Sequence, residues 1–315
     1  MGSDTPARED VFIRSIGDDL NAARSIWASR DLSAQSVEIV YEEAVADYRV
    51  LIVRHRLEAN DHYGVIVAPE GDHAGRPVML IADGLNQTNP NLNPEGMIAS
   101  HSGQSPAAGM IKIIPTFRGR TLRYGDMQFH ADGDFCDAYD GAADDAIAML
   151  NVAESLFPEA NFERVLAEGA SRGGNTALLM GVRDSRIDTI IAMAAPVDFY
   201  WDPLVDKYGD QYACQFLDGK TAEQARRKIL QSSPLYFEAM ANVEDVFLFH
   251  GSRDEVVSLW NSLDIAGHLE ARGVSVTSFF YPNSTHRSFP SRPEHPENHA
   301  AAVEKFLGKL EVPGR

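Results

Sequence analysis

Apolar residues along the chain follow two kinds of spacing. From Val11 to Trp27 they recur at helical intervals, which predicts an amphipathic helix over 8–30. The next segments, "VEIVYE" and "YRVLIVRHRL", alternate between apolar and polar positions like antiparallel strands. The later segments of strand length are almost continuously apolar: "GVIVAP", "PVMLIADG", "MIKIIPTF", "RVLAEGAS", "IDTIIAMAAP", "VEDVFLFHG" and "VSVTSFFYP".

Helix-like segments separate most of the later strands, at 141–157, 173–183, 258–272 and 295–311. Continuous apolar strands that alternate with helices are typical of a sheet buried on both faces. We therefore predict an α/β fold with a mostly parallel sheet of about eight strands and helices on both faces.

The predicted domain organisation is an N-terminal helical extension over 1–35 and one α/β domain over 36–315. Residues 199–243 separate two strands by more than a crossover needs, and they predict a helical cap insertion. The aromatic residues of this cap, Tyr200 and Trp201 among them, are candidates for substrate contact, although core packing explains them equally well.

The junction "LAEGASRGGN" contains the pattern Gly-x-Ser-x-Gly around Ser171. At a strand-to-helix junction this pattern is typical of a nucleophile elbow, in which a sharp turn exposes the serine hydroxyl. Gly169 and Gly173 let strand and helix approach closely. The alternative is a glycine-rich turn with an idle serine.

A serine hydroxyl needs a base to become a good nucleophile. Asp254 in "HGSRDEVV" and His286 in "YPNSTHRSF" follow two later strands, in the order serine, acid, histidine. We predict Ser171 as nucleophile, His286 as general base and Asp254 as the carboxylate that orients the imidazole. The weaker alternatives are Glu255 as the acid and His250 as the base.

Two backbone N–H groups are expected to stabilise an oxyanion. One is that of Arg172, at the start of the predicted helix, where N–H groups are unpaired. The other comes from the loop after "PVMLIADG", with Leu85 as first choice and Asn86 as second.

Several segments together resemble the catalytic domain of the prolyl oligopeptidase family of α/β-hydrolases. They occur in the family's order over about residues 75–310: "PTFRGR", "DGAADDAIAML", "GASRGG", "AAPVDF", "SSPLYF", "HGSRDEVV" and "YPNSTH". The resemblance implies an α/β-hydrolase fold and a serine hydrolase.

Three departures from the family's peptidases favour an ester as substrate. Only about 75 residues precede the matching region, too few for the β-propeller of those peptidases. The loop "DGLNQ" offers no tyrosine for the oxyanion, and Arg172 stands where the family commonly has Tyr. We therefore predict a carboxylic-ester hydrolase that acts on a small ester or amide. The alternatives are a peptidase or amidase, or an acyl transferase or cyclase, with the same triad, or a binding protein without activity.

Four arginines lie in segments expected near the site: Arg118, Arg120, Arg172 and Arg287. We hypothesise that one or two of them bind an anionic group of the substrate, since Arg binds carboxylates in bidentate geometry. The alternative is pairing with Asp144, Asp145 or another local acid.

Charge and composition argue against several other classes of protein. The 46 acidic and 28 basic residues give a net charge of -18, which argues against a nucleic-acid partner. No apolar stretch is long enough to span a membrane, and the polar start lacks a signal region. We expect no cofactor. Homo-oligomer formation stays open.

Metal and redox chemistry are also not expected. The two cysteines, Cys136 and Cys214, lack metal-ligand spacing, and we predict reduced thiols in a cytoplasmic protein. Cys136 also occupies a position that needs an oxygen ligand in an acidic segment resembling a calcium-binding loop. Pro296 lies between His295 and His299, and the pair has no third ligand in view, so we predict no metal.

Overall fold

The computed structural model describes residues 5–86, 88–237, 240, 242–286 and 296–310. Twelve strands are found in this part of the chain: β1 (Gln35–Val45), β2 (Tyr48–Leu57), β3 (Asn60–Pro69), β4 (Pro77–Ala82), β5 (Asn91–Leu92), β6 (Ile111–Thr116), β7 (Thr121–Tyr124), β8 (Met127–His130), β9 (Asn161–Ala170), β10 (Ile187–Met193), β11 (Asp245–Gly251) and β12 (Ser275–Tyr281).

Helices of very different length connect and cover these strands. They are α1 (Arg8–Val11), α2 (Gly17–Ser29), α3 (Glu95–Ser100), α4 (Asp140–Leu156), α5 (Arg172–Arg183), α6 (Pro203–Tyr208), α7 (Asp210–Tyr212), α8 (Ala222–Gln231), α9 (Trp260–Glu270) and α10 (Pro296–Leu310).

The central sheet has nine strands in the order β1-β2-β3-β6-β4-β9-β10-β11-β12. From β6 to β12 neighbouring strands are parallel, whereas β1, β2 and β3 join the edge in antiparallel fashion. The sheet therefore has nine strands where about eight were predicted. The antiparallel pairing of β1 and β2 agrees with their alternating pattern, whereas β3, predicted as one of the continuously apolar strands of the mostly parallel sheet, is antiparallel. A continuous apolar pattern such as "GVIVAP" in β3 reports burial on both faces, not strand direction.

Turn geometry explains the antiparallel edge. Val45 pairs with Tyr48, and Leu57 pairs with Asn60, so only two residues connect each pair of strands. Connections this short close antiparallel hairpins only, because a parallel pair needs a crossover of a dozen or more residues. The sequence analysis also did not predict the small second sheet, β5-β7-β8.

Helices cover both faces of the sheet. One face packs against α4, α5 and α9, and the other against α3 and α10. A third apolar cluster joins α1 to α6 and α8, and it contains the buried rings of Tyr139, Phe199, Tyr212 and Phe216. This cluster packs the helices that lie between β10 and β11 in the chain against the N-terminal helix α1.

The first predicted helix is broken into α1 and α2. The hydroxyl of Tyr200 donates to the carbonyl of Val11 at 2.6 Å and accepts from the N–H of Ile13 at 2.9 Å. These contacts replace helical backbone bonds at that point. A long-range contact therefore overrides the local helical pattern.

The two cysteines form a disulfide, with Cα atoms 5.4 Å apart. The bond ties Cys136, before α4, to Cys214, between α7 and α8, across 78 residues of sequence. The prediction of reduced thiols was therefore wrong, because the fold brings together two positions that spacing did not connect. Disulfides are rare in cytosolic proteins, so the cysteines no longer support the predicted cytoplasmic location. Among the described helices, none has the length and apolarity to span a bilayer.

His55 on β2 lies in a buried environment that opposes its protonation. Its ring is 1% exposed and lies 5.7 Å from the ring of His62. Burial, assisted by His62, lowers the pKa of His55 from 6.5 to about 4. Below pH 6.5 the unfolded chain therefore binds a proton that the folded chain does not, and stability falls as the pH drops through this window.

We expect the His55→Phe variant to lose less stability on acidification. Among the described residues, neither ring nitrogen of His55 has a hydrogen-bond partner, so the substitution breaks no described bond. Between pH 7 and pH 5, the free energy of unfolding of the wild type should fall by about 2 kcal/mol more than that of the variant. Urea titrations at both pH values measure this difference, and equal losses would contradict the assignment.

Candidate active site

Ser171 lies at the sharp corner between β9 and α5. Its backbone has φ 54° and ψ -120°, a strained conformation for a residue with a side chain. The N–H of Ser171 donates to the carbonyl of Met193 on β10 at 2.7 Å, which fixes the corner against the neighbouring strand. The turn therefore places Ser171 at the carboxyl edge of the sheet, next to the first turn of a helix.

The flanking glycines are required by close backbone contact. A Cβ on Gly173 would overlap the carbonyl oxygen of Ala82 on β4. A Cβ on Gly169 would overlap the backbone of Gly173 and lie 2.8 Å from the same oxygen. Both obstacles are backbone atoms, which cannot swing aside. The glycine spacing in the sequence is thus a packing requirement of the corner.

We expect Gly173→Ala to lower the free energy of unfolding by about 3 kcal/mol, since overpacking of this kind forces the backbone to shift. The matched control is Gly267→Ala in α9, where a Cβ meets no atom within 4 Å. That control should stabilise the protein by up to about 1 kcal/mol, because alanine is the better helix former. Urea unfolding of both variants checks the contrast, and a stable Gly173→Ala variant would refute it.

Asp254 and His286 meet after two adjacent parallel strands, β11 and β12. Nδ1 of His286 lies 2.7 Å from Oδ2 of Asp254, whose side chain is fully buried. The other carboxylate oxygen accepts from the backbone N–H groups of Val256, at 2.9 Å, and Val257, at 2.7 Å. The carboxylate is thus held on one side by the backbone and presented to the imidazole on the other.

His250 is a further partner of this carboxylate that the sequence analysis did not connect to it. Its Nε2 lies 3.3 Å from Oδ2 of Asp254 and 3.0 Å from the carbonyl of Val257. Burial alone would raise the pKa of Asp254, but the hydrogen bonds from His250 and His286 hold it well below its usual value. Asp254 is therefore ionised at neutral pH. Its neighbour Glu255 is exposed.

The two expected oxyanion donors lie on either side of Ser171 in the fold. Arg172 is the first residue of α5, and the loop with Gly84 and Leu85 follows β4. The Cα of Gly84 is close enough to the corner that a Cβ there would lie 3.9 Å from Cβ of Ser171. In the part of the chain that the structure describes, the N–H groups of Arg172 and Leu85 have no hydrogen-bond acceptor.

A family model for the prolyl oligopeptidase family matches residues 100–310, about two thirds of the chain. The chain belongs to this family. The resemblance inferred from the sequence is thereby confirmed, and the protein is a serine hydrolase.

Solved structures of other hydrolases share the fold of this family member. The acetyl xylan esterase 1 from Thermoanaerobacterium sp. JW/SL YS485 aligns with a TM-score of 0.64 at 15% identity, over 98% of this chain and 96% of that one. The acetyl xylan esterase from Paenibacillus sp. R4 also gives 0.64, at 18% identity, over 98% and 97%. No curated protein matches the sequence significantly.

A peptidase of the same fold matches over a smaller share of its length. The acylaminoacyl peptidase of Pyrococcus horikoshii aligns with a TM-score of 0.58 at 14% identity, over 88% of this chain and 50% of that one. At such identities the likeness concerns the fold alone.

Three of the four predicted anion-binding arginines of this hydrolase lie in the described part of the chain, and their guanidinium groups contact acidic side chains or backbone carbonyls of the protein itself. Arg118 forms ion pairs with Asp145 at 2.7 Å and Asp137 at 2.8 Å. Arg120 is 1% exposed and pairs with Asp83 at 2.6 Å. These contacts match the alternative of local pairing. Arg287 lies outside the described residues.

Arg172 is also buried, and its side chain holds the loop after β4. The guanidinium is 1% exposed, donates to the carbonyls of Asp83 and Gly84, and lies 4.4 Å from the ring centre of Phe117. Burial, followed by the charge of Arg120, lowers its pKa to about 9. The residue after Ser171 therefore fixes the loop that carries Leu85, a role that the sequence did not indicate.

The two predicted cap contacts differ in accessibility. The hydroxyl of Tyr200 donates to the carbonyl of Val11 in α1, and its ring centre lies 5.4 Å from that of Phe12. Trp201 is 58% exposed. Of the pair, Trp201 therefore has the free surface that contact with a substrate needs. Its role in binding stays a prediction.

Proposed function

We propose that this protein is a carboxylic-ester hydrolase with Ser171 as nucleophile, His286 as general base and acid, and Asp254 as the orienting carboxylate. The 2.7 Å hydrogen bond between His286 and Asp254 carries the proposal. An ionised carboxylate only accepts, so Nδ1 of His286 holds the hydrogen and Nε2 keeps its lone pair for a proton from a hydroxyl. The strained backbone of Ser171 supports its role as nucleophile.

The proposed reaction has two halves. Oγ of Ser171 attacks the ester carbonyl carbon while its proton passes to Nε2 of His286, and the N–H groups of Arg172 and Leu85 stabilise the oxyanion. The tetrahedral intermediate collapses, the C–O bond to the alcohol breaks, and His286 protonates the leaving oxygen. Water then attacks the acyl carbon while His286 takes one of its protons. The bond between that carbon and Oγ of Ser171 breaks, His286 returns the proton to Oγ, and the carboxylic acid leaves.

The choice of an ester is supported by how the relatives align. The two acetyl xylan esterases match this chain over almost their full length, whereas the peptidase matches over half of its own. In the described residues before the family match, 5–86 and 88–99, the chain forms helices, strands of the central sheet and one short strand of the second sheet, and no propeller. The family match to prolyl oligopeptidases favours the second candidate, a peptidase with the same triad.

A matched pair of substrates separates the two candidates. We expect a simple acetate ester to be hydrolysed with a kcat of about 1 s⁻¹ or more, and the corresponding amide or a short peptide to be cleaved only at a trace rate. A fluorophosphonate probe applied first should inactivate both reactions at one serine. Esters are intrinsically more reactive than amides, so a peptidase would hydrolyse the ester as well. Cleavage of the short peptide with a kcat of about 1 s⁻¹ or more, lost after labelling with the probe, would favour the peptidase instead.

A further inference from the structure

Two histidines and a glutamate from three separate elements meet on the face of the sheet that α3 and α10 cover. Glu168 lies on β9, three residues before Ser171, and is 3% exposed. His101 follows α3, and His299 lies in the first turn of α10. Nε2 of His101 lies 3.1 Å from one carboxylate oxygen of Glu168, and Nε2 of His299 lies 2.6 Å from the other.

Hydrogen bonding restricts what can lie between these groups. Nδ1 of His101 lies 2.8 Å from the carbonyl oxygen of Met97 and 2.9 Å from the hydroxyl of Ser100, which itself donates to that carbonyl at 3.0 Å. A carbonyl oxygen only accepts and the hydroxyl hydrogen is used on it, so Nδ1 carries a hydrogen. In the neutral ring, Nε2 then presents a lone pair toward a carboxylate that also has only lone pairs. The two repel unless a positive charge lies between them. That charge is either a proton or a metal ion.

We propose that His101, Glu168 and His299 form a binding site for one divalent metal ion of the Zn²⁺ class. Their ligand atoms all lie within 4.8 Å of one another. Two imidazoles and one carboxylate are a donor set that Zn²⁺ uses, with ligands at about 2.0–2.2 Å. Two such ligands in a tetrahedral site lie about 3.3 Å apart, close to the 3.1 Å between His101 and Glu168.

The surroundings of His101 are those of a metal ligand. Its Nδ1–H is fixed by a backbone carbonyl, which sets the tautomer that leaves Nε2 for a metal. The side chain of His299 is 29% exposed, so it can turn to open its shorter contact with Glu168. The same exposed side gives a water molecule access to a fourth coordination position.

A metal ion here would tie together elements on both sides of the proposed nucleophile and base. Glu168 shares a strand with Ser171, and α10 follows the segment after His286. The ion would thus stabilise the fold, since metal bound by the folded state alone adds to the free energy of folding. The sequence analysis dismissed a metal because the pair His295 and His299 had no third ligand. His295 lies outside the described residues, and the fold supplies the further ligands from distant positions.

Direct metal binding tests the inference without reference to hydrolysis. The full chain without a histidine tag is stripped with a chelator and titrated with Co²⁺ and Zn²⁺. We expect saturation at one equivalent, a visible absorption band typical of tetrahedral Co²⁺, and a rise in Tm of several degrees with Zn²⁺. Absence of saturable binding, or an unchanged Tm, would overturn the proposal even if esterase activity is normal.

Variants and chemical modification locate the ion. His299→Gln should weaken Zn²⁺ binding at least 100-fold, whereas His130→Gln, at an exposed histidine on β8, should not change it. If circular dichroism shows that His299→Gln does not fold, modification of the wild-type histidines by diethyl pyrocarbonate tests whether His299 binds the ion. One equivalent of Zn²⁺ should protect His299 and leave His130 reactive. Equal affinity in both variants, or no protection, would show that the ion binds elsewhere.

Discussion

Ser171→Ala should reduce ester turnover by roughly 10⁴- to 10⁶-fold and abolish labelling by a fluorophosphonate probe. Without Oγ no acyl-enzyme forms, and only the oxyanion donors and substrate binding remain to accelerate hydrolysis by water. KM should change little, because alanine removes only the side-chain oxygen, and the hydrogen bond from the N–H of residue 171 to Met193 on β10 still holds the backbone in place. Steady-state kinetics and intact-mass analysis after labelling measure these effects.

The control for this variant is Ser25→Ala, at an exposed serine of α2 whose hydroxyl donates to the carbonyl of Asn21 in its own helix. It should retain wild-type turnover and labelling. Residual activity of Ser171→Ala above a few per cent, in a preparation free of wild type, would mean that another residue is the nucleophile. Circular dichroism and Tm should be close to those of the wild type in both variants.

Asp254→Asn should lower kcat by about 10⁴-fold with little loss of folded structure. The oxygen that accepts from Val256 and Val257 must stay an oxygen, so the amide nitrogen of Asn takes the position facing His286. A donor at that place forces Nδ1 of His286 to accept. The hydrogen then moves to Nε2, which can no longer take the proton of Ser171.

Glu255→Gln is the matched control, since it makes the same change of charge at the next residue, which is exposed. We expect its kcat to stay within about twofold of the wild type, because exposed charges are screened by solvent. If Glu255→Gln loses activity and Asp254→Asn keeps it, the carboxylate has been assigned to the wrong residue. Kinetics of both variants over a pH series, with Tm as a folding check, distinguish the two outcomes.

The candidate site was predictable because its residues occupy positions with a strong local signature. Gly-x-Ser-x-Gly between a strand and a helix describes a turn that only glycines fit, and the structure gives Ser171 a positive φ there. Asp254 and His286 each follow an apolar strand. The carboxyl ends of adjacent parallel strands share one edge of the sheet, so chain order alone predicts that these side chains lie near each other.

The contacts that support the site were not predictable in the same way. The sequence analysis considered His250 only as a weaker alternative for the base, yet it contacts the carboxylate of Asp254. Arg172 looked like a group for substrate, but it is buried against the carbonyls of Asp83 and Gly84. Neither contact could be predicted from a periodic pattern in the sequence, because the tertiary packing, and not the distance along the chain, determines which groups surround a buried charge.

By itself, the sequence determined the order of most strands and helices, the α/β class, the family and the sharp corner at Ser171. These follow from burial periodicity and steric limits, which act over a few residues. The tertiary structure decided the antiparallel direction of β3, the disulfide between Cys136 and Cys214, the pairing of the arginines and the cluster around Glu168. Each of these depends on residues distant in the chain, and only the packed fold fixes which of them meet.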